Sequence, residues 1–346
     1  MNPHTKLITS LSLILGTIIT ISSNHWMMAW AGLELNTLAI IPFISKSHHP
    51  RAIEATIKYF LVQAAASTLL LFSSMTNAWS TGQWDITQLT NPTSSLLLTV
   101  AIAMKLGLVP FHFWFPEVLQ GSSLTTALLL STMMKFPPTT LLFLASHSLN
   151  PALLTTMAIT SVALGGWMGL NQTQLRKILA FSSTAHLGWV AAVIIYSPKL
   201  ALLTFYLYIL TTTTVFLALN STKTLKLMTL MTSWTKAPTL NATLMLVLLS
   251  LAGLPPLTGF LPKWLIIQEL TKQGMATTAT TIATLSLLGL FSYLCLAYHS
   301  TITLSPNSTN YMKQWHFTKP TSTMTAILAT LSTLILPLSP LILTAT

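Results

Sequence analysis

Apolar residues run along this chain in stretches of about 20, separated by short connectors rich in Ser, Thr, Asn and Pro. A helix crossing a bilayer needs about that length of apolar sequence. The pattern predicts eleven helices, over 3–22, 26–45, 53–76, 94–119, 124–145, 151–170, 175–195, 199–219, 239–271, 276–299 and 323–344. The longest connectors, 77–93, 220–238 and 300–322, are too short for a separate domain. The expected fold is therefore all-α and polytopic, with residues 1–346 forming one transmembrane domain.

Two of these runs are interrupted in a similar way. GLVPFHFWFP, with Pro110, breaks the fourth, and AGLPPLTGFLPKW, with Pro255 and Pro256, breaks the ninth. A straight helix over the ninth run would be about 50 Å long, more than a bilayer needs. Paired Gly/Pro interruptions in corresponding parts of a chain point to a transporter of repeated halves, in which freed backbone groups line a hydrated cavity at mid-membrane depth. The breaks lie an odd number of spans apart, so halves of about 1–148 and 149–300 have inverted topology, and 301–346 adds a connector and a last helix.

Composition agrees. The chain is 52% hydrophobic and 6% charged, against about 25% charged in an ordinary globular domain. Its net charge of +11 sits mostly in connectors, which reads as membrane topology and excludes a nucleic-acid-binding face. With eleven spans, Lys6, Lys46, Arg51, Arg176, Lys177, Lys223, Lys226, Lys236, Lys313 and Lys319 fall on the N-terminal side, and only Lys199 and Lys272 on the other. The N-terminus thus belongs on the side of insertion. A lone cysteine, Cys295, excludes a disulfide framework and a cysteine-ligated iron–sulfur cluster. Met1 to about Ile21 shows no cleavage site or Arg-rich presequence and reads as a retained first span.

Lys58, Lys105, Lys135 and Lys263 remain inside spans. Lys135 is roughly 16 Å from either end of its run, too deep for its side chain to reach the headgroups. An ammonium stranded there costs roughly 2.5–3.5 kcal/mol and usually marks an ion or proton pathway. Glu34, in WAGLELNTLAIIPF, is similarly deep, and an ion pair between Glu34 and Lys105 would restore charge to both. A partly desolvated lysine can store and release a proton near neutral pH. Lys135 and Lys263 are therefore candidate proton carriers, Lys263 with the alternative of capping a broken helix.

His112 and His186 are candidate relays, able to accept at one ring nitrogen and donate from the other. The remaining histidines singled out, His4, His48, His49, His147, His299 and His316, lie at ends or in connectors and are expected to do nothing specific. Asp85, Glu117 and Glu269 read as connector or interfacial groups, and Glu54 with Lys58 as an i, i+4 pair supporting a helix start. No P-loop, dinucleotide fingerprint or metal-ligand spacing is present, and one facing histidine pair is too few for haem ligation.

The segments WAGLELNTLAIIP, MKLGLVPFHFWFPEVLQG, LNQTQLRKILAFSSTAHLGW and LAGLPPLTGFLPKW closely resemble the antiporter-like membrane subunits of respiratory NADH:ubiquinone oxidoreductase, complex I, over nearly the whole chain. The resemblance implies inverted five-helix units and a last helix. It implies the mitochondrial inner membrane, where the charge split above puts the N-terminus in the matrix and the C-terminus in the intermembrane space. It further implies proton translocation driven by quinone reduction elsewhere in the complex. Its motif residues fall on Glu34, Lys105, Lys135 and Lys263. On this basis the chain has no active site or cofactor of its own; NADH, FMN, iron–sulfur clusters and ubiquinone belong to other subunits. Sister antiporter-like subunits and membrane lipid are the expected partners. A monovalent cation/proton antiporter subunit is the alternative. Two departures stand out: bacterial relatives carry about three more spans, and the histidine that sister subunits hold in the span at 199–219 is missing here.

Overall fold

The computed structural model describes residues 3–47, 49–235, 237–302 and 323–339. His48, Lys236, His316, Lys313, Lys319 and most of the connector at 300–322 lie outside them, as does the end of the last predicted helix. Helices form where apolar runs were expected. The unbroken ones are α1 (Pro3–Ser22), α2 (Trp26–Ile44) and α3 (Pro50–Thr81). The fourth run divides into α4 (Pro92–Leu106) and α5 (Trp114–Gly121), and the fifth into α6 (Leu124–Ser131) and α7 (Phe136–Leu144). Then come α8 (Pro151–Gly169), α9 (Leu175–Val193), α10 (Pro198–Thr222) and a short connector helix, α11 (Leu227–Thr232). The ninth run divides into α12 (Pro238–Ala252) and α13 (Phe260–Lys272), followed by α14 (Ala276–Ile302) and α15 (Thr323–Leu334).

Prolines mark many of the starts. Pro50, Pro92, Pro151, Pro198 and Pro238 each sit in a first turn, where a missing N–H leaves no bond unmade. Asn91 Oδ1 accepts from the Thr93 N–H at 3.2 Å and Asn150 Oδ1 from Ala152 at 3.1 Å, completing caps for α4 and α8. His49 does the same for α3, its Nδ1 accepting from Arg51 at 3.2 Å. A connector histidine expected to be idle therefore has a structural task.

The fifth run departs from expectation. The apolar run predicts one helix over 124–145, but the backbone leaves α-geometry at Thr132 and passes through a 3₁₀ turn at Met133–Lys135. The cause lies just downstream: Pro137 and Pro138 supply no N–H to the preceding turn, and their rings crowd it.

Connector contacts test the span count without using charge. The link before α2 pairs with the link before α4: His25 bridges Asp85, and the Trp26 N–H reaches the Trp84 carbonyl at 3.1 Å. At the opposite face, Gln174 bridges Lys226, and Arg176 donates to the Ser122 carbonyl. Tyr196, after α9, meets Met275, after α13. Each contact joins connectors that eleven crossings place on one side, so an inserted or missing span in the middle would separate them.

The spans differ in what they face. Along α1 the outward Leu7, Ile8, Leu11, Ile14, Leu15 and Ile18 are exposed, which suits a lipid-facing helix. α9 is the reverse, buried over most of its length and packed most extensively on α8. Gly188 permits that approach, since a Cβ there would stand 2.1 Å from Ser161 Oγ. α9 therefore holds the centre, surrounded by the broken helices.

Candidate functional site

Each interruption leaves a carbonyl without its helical partner, and backbone inside a bilayer must be satisfied by protein. At the first break Gly107 turns left-handed at φ 76°, ending α4 directly after Lys105 and Leu106. The indole N–H of Trp114 returns from α5 to the Met104 carbonyl at 3.2 Å. In the 3₁₀ turn the Lys135 N–H goes to Thr132 rather than Ser131. The Tyr208 hydroxyl of α10 then donates to the Ser131 carbonyl at 3.3 Å. At the last break Gly253 turns left-handed at φ 86°, and Lys263 Nζ reaches back from α13 to the Ala252 carbonyl at 2.7 Å. The capping role weighed for Lys263 is therefore present. Only glycine allows it: a Cβ on residue 253 would stand 2.8 Å from Lys263 Nζ.

The ammonium groups are placed as the sequence suggested. Lys105 is 5% exposed and Lys135 3%; Lys263 is half-buried. Lys135 Nζ donates to Ser183 Oγ at 3.0 Å, lies 3.5 Å from the Tyr208 hydroxyl, and sits 4.2 Å above the Phe115 ring. Those aromatic faces offset part of the cost of a buried cation. Lys105 Nζ makes no hydrogen bond to the described residues.

The Glu34–Lys105 pair requires correction. No ion pair joins these two side chains, although Glu34 is close enough to act on Lys105 through its field. The rotation of α2 is the reason: Leu33, Asn36 and Thr37 line the cavity beside Lys105, while Glu34 is half-buried and does not line it. Coupling between them is through space.

Small cavities lie beside the lysines. One of about 20 Å³ is lined by Lys105, Lys135, Tyr59, Gln63, Asn36 and Thr37. Two more of about 30 Å³ each share Lys263, His186 and Trp189; Ser182 and Tyr293 line one, and Tyr208, Ser250 and Thr258 the other. A cavity of 10–15 Å³ is enough for a water when polar groups line it, so all three are large enough. His186 lies within electrostatic reach of both Lys135 and Lys263, its ring 5.6 Å from that of Tyr208. His112, by contrast, is buried inside the first break against Phe113 and lines none of these cavities. The structure thus brings His186 to the lysines and leaves His112 aside. Pro110 is exposed in the first break, and Pro255 and Pro256 in the last.

Three features escaped the sequence reading. Tyr208 and Ser183 carry no signal beyond being polar in apolar helices. The Lys135 turn did carry one, in the Pro137–Pro138 pair. Lys58 bonds Glu54 within its own helix at 2.5 Å and also reaches Glu117 on α5 at 2.6 Å; sequence spacing reveals only the first contact.

Discontinuous spans carrying buried lysines beside water-sized cavities define an antiporter-like membrane protein. Residues 23–289 match the family described as NADH:quinone oxidoreductase/Mrp antiporter, transmembrane, and residues 290–343 match the NADH dehydrogenase subunit 2 C-terminus. The chain is 76% identical over 345 residues to NADH-ubiquinone oxidoreductase chain 2 of Struthio camelus, covering 100% of both, and 76% identical over 342 residues to that of Mareca americana, covering 99% of both. It belongs to the NADH-ubiquinone oxidoreductase chain 2 family. Its fold is similar to a chain of respiratory complex I from Thermus thermophilus, with a TM-score of 0.83, 25% identity, and coverage of 97% of this chain and 80% of that one. A chain of the Mrp complex from Dietzia shares the fold at a TM-score of 0.76, 18% identity, and coverage of 87% and 61%. This protein is accordingly a multi-pass subunit of the respiratory NADH:quinone oxidoreductase class.

Proposed function

We propose that this subunit conducts protons along the line Lys105, Lys135, His186 and Lys263, driven by quinone reduction in neighbouring chains. The observation that carries the reading is the juxtaposition of three lysines with cavities large enough for water, one lined by Lys105 and Lys135 and two by Lys263 and His186. Glu34 sets the charge at one end by acting on Lys105 across space. Each carrier's willingness to hold a proton depends on its neighbour's charge, since a like charge opposes ionisation and an opposite charge favours it. A proton arriving at one lysine thereby drives the next to release its own. Lys263 would pass charge toward the edge of the chain, where a sister antiporter-like subunit supplies the next carrier.

Residues 1–148 and 149–300 act as inverted halves in this scheme, each contributing a helix that stops at a Gly-Leu step, Gly107–Leu108 and Gly253–Leu254. The redox groups, NADH, FMN, iron–sulfur clusters and ubiquinone, belong to partner subunits, and this chain contributes no catalytic residue to them. The positive-inside distribution supports a matrix N-terminus and an intermembrane-space C-terminus in the mitochondrial inner membrane. A monovalent cation/proton antiporter subunit is the rival reading, since the cavities also present hydroxyl and amide oxygens beside the lysines. In the assembled complex, Lys135→Met should retain assembly and lower coupled proton pumping by about tenfold, a modest effect for a lost proton-transfer group. Unchanged pumping, or sodium flux without a redox partner, would overturn the proposal.

A further inference from the structure

We infer that the phenol of Tyr208 is the proton link between the Lys105–Lys135 cavity and the His186–Lys263 cavity, a role that rests on the conducting reading above. The two compartments share no lining residue. Lys135 borders the first and not the second, and His186 and Lys263 border the second and not the first. Tyr208 lines the second cavity while its hydroxyl stands 3.5 Å from Lys135 Nζ. Aromatic rings fill the surrounding space: Phe115 under the ammonium, Phe205 stacked on Tyr208 at 6.4 Å, and Phe136 edge-on to Phe205 at 5.3 Å. A proton leaving Lys135 toward His186 therefore meets an aromatic wall whose polar opening is a hydroxyl.

Two hydroxyls touch Lys135, and the geometry separates them. Ser183 is nearer, at 3.0 Å, but its own proton is committed to the Ala180 carbonyl at 2.7 Å, and its side chain lines none of the three cavities. It anchors the ammonium. The Tyr208 proton points to the Ser131 carbonyl through a long 3.3 Å bond, which a modest rotation of the hydroxyl exchanges for the cavity. In the transfer step the Lys135 ammonium gives a proton to Tyr208 Oη as the original phenolic proton leaves to water in the second cavity, and from there to His186. The phenol ends neutral, the lysine ends as an amine, and one proton has crossed the wall. Because the same hydroxyl also caps the free Ser131 carbonyl, passage of a proton and the local geometry of the Lys135 turn are tied together.

The test uses the intact complex carrying Tyr208→Phe, Tyr208→His or Lys135→Met. Assembly is read on native gels, NADH oxidation with a hydrophilic acceptor that bypasses quinone, and proton pumping during quinone reduction. Tyr208→Phe is expected to assemble and to oxidise NADH normally with the bypass acceptor, while coupled pumping falls by about tenfold. Tyr208→His, which restores a group that can accept and donate, is expected to recover a measurable part of it. Wild-type pumping by Tyr208→Phe overturns the assignment, as does a Tyr208→His variant that pumps no better than Lys135→Met; the latter comparison also decides the matter if Tyr208→Phe does not accumulate. If Lys135→Met is impaired while Tyr208→Phe is normal, the link alone fails. If Lys135→Met pumps normally, the conducting reading fails with it.

Discussion

Gly253→Ala isolates the joint between α12 and α13. The residue has φ +86°, and a side chain in the left-handed region costs roughly 1–2 kcal/mol. The added Cβ would also stand 2.8 Å from Lys263 Nζ, 2.9 Å from Cδ and 3.0 Å from Cε. Those atoms belong to a flexible side chain, so the lysine swings away rather than clashing. What is lost is its 2.7 Å bond to the Ala252 carbonyl, a charge-assisted bond whose loss costs about 1.5–3 kcal/mol. Strain and lost bond together come to roughly 2.5–5 kcal/mol at one joint. Gly274→Ala is the control: its φ is +74°, but nothing lies within 4 Å of the new Cβ, leaving the strain alone. Native-gel abundance and proton pumping per assembled complex separate the two. Gly253→Ala should reduce both; Gly274→Ala should lower abundance slightly and leave pumping per complex unchanged. Equal pumping by the two variants would refute the argument that residue 253 must be glycine for the sake of Lys263.

Trp114→Phe removes the indole that meets the Met104 carbonyl at 3.2 Å. It should destabilise the first break by about 1–3 kcal/mol, measured as a lower thermal midpoint of the purified complex. Gly188→Val places atoms where a Cβ alone would stand 2.1 Å from Ser161 Oγ and 3.0 Å from the Ala158 carbonyl. The α8–α9 contact should then open at a cost of at least roughly 1–3 kcal/mol, with little assembled complex recovered on native gels.

Much of this architecture was legible because the bilayer imposes a length on each apolar run and leaves basic residues at its edges. The Gly/Pro breaks were readable for the same physical reason that they exist: a proline removes an N–H, and a left-handed turn calls for glycine. Lys105, Lys135 and Lys263 stood out because charge at that depth is costly. What could not be read was rotation about a helix axis. Glu34 and Lys105 are each deep, yet α2 turns Asn36 and Thr37 rather than Glu34 toward the shared cavity. His112 and His186 look alike in sequence, and only three-dimensional packing puts one beside the lysines. Tyr208 was invisible because a tyrosine in an apolar helix is unremarkable until its hydroxyl is seen near Lys135. The fifth run is apolar for the full length of a span, which hides the turn that the Pro137–Pro138 pair imposes.

The three freed carbonyls are held by an indole, a phenol and an ammonium, and those groups differ in one respect that bears on motion. An indole neither gains nor loses charge near neutral pH, so the clasp at Met104 keeps the same grip, whereas the Tyr208 hydroxyl that holds the Ser131 carbonyl is free to rotate without any change of charge. The clasp at Ala252 tightens when its lysine is cationic and slackens when it is an amine. Stiffness is therefore unevenly distributed among the three joints: the indole holds the first one constant, the phenol can let go of the second by turning, and the third alone answers to charge.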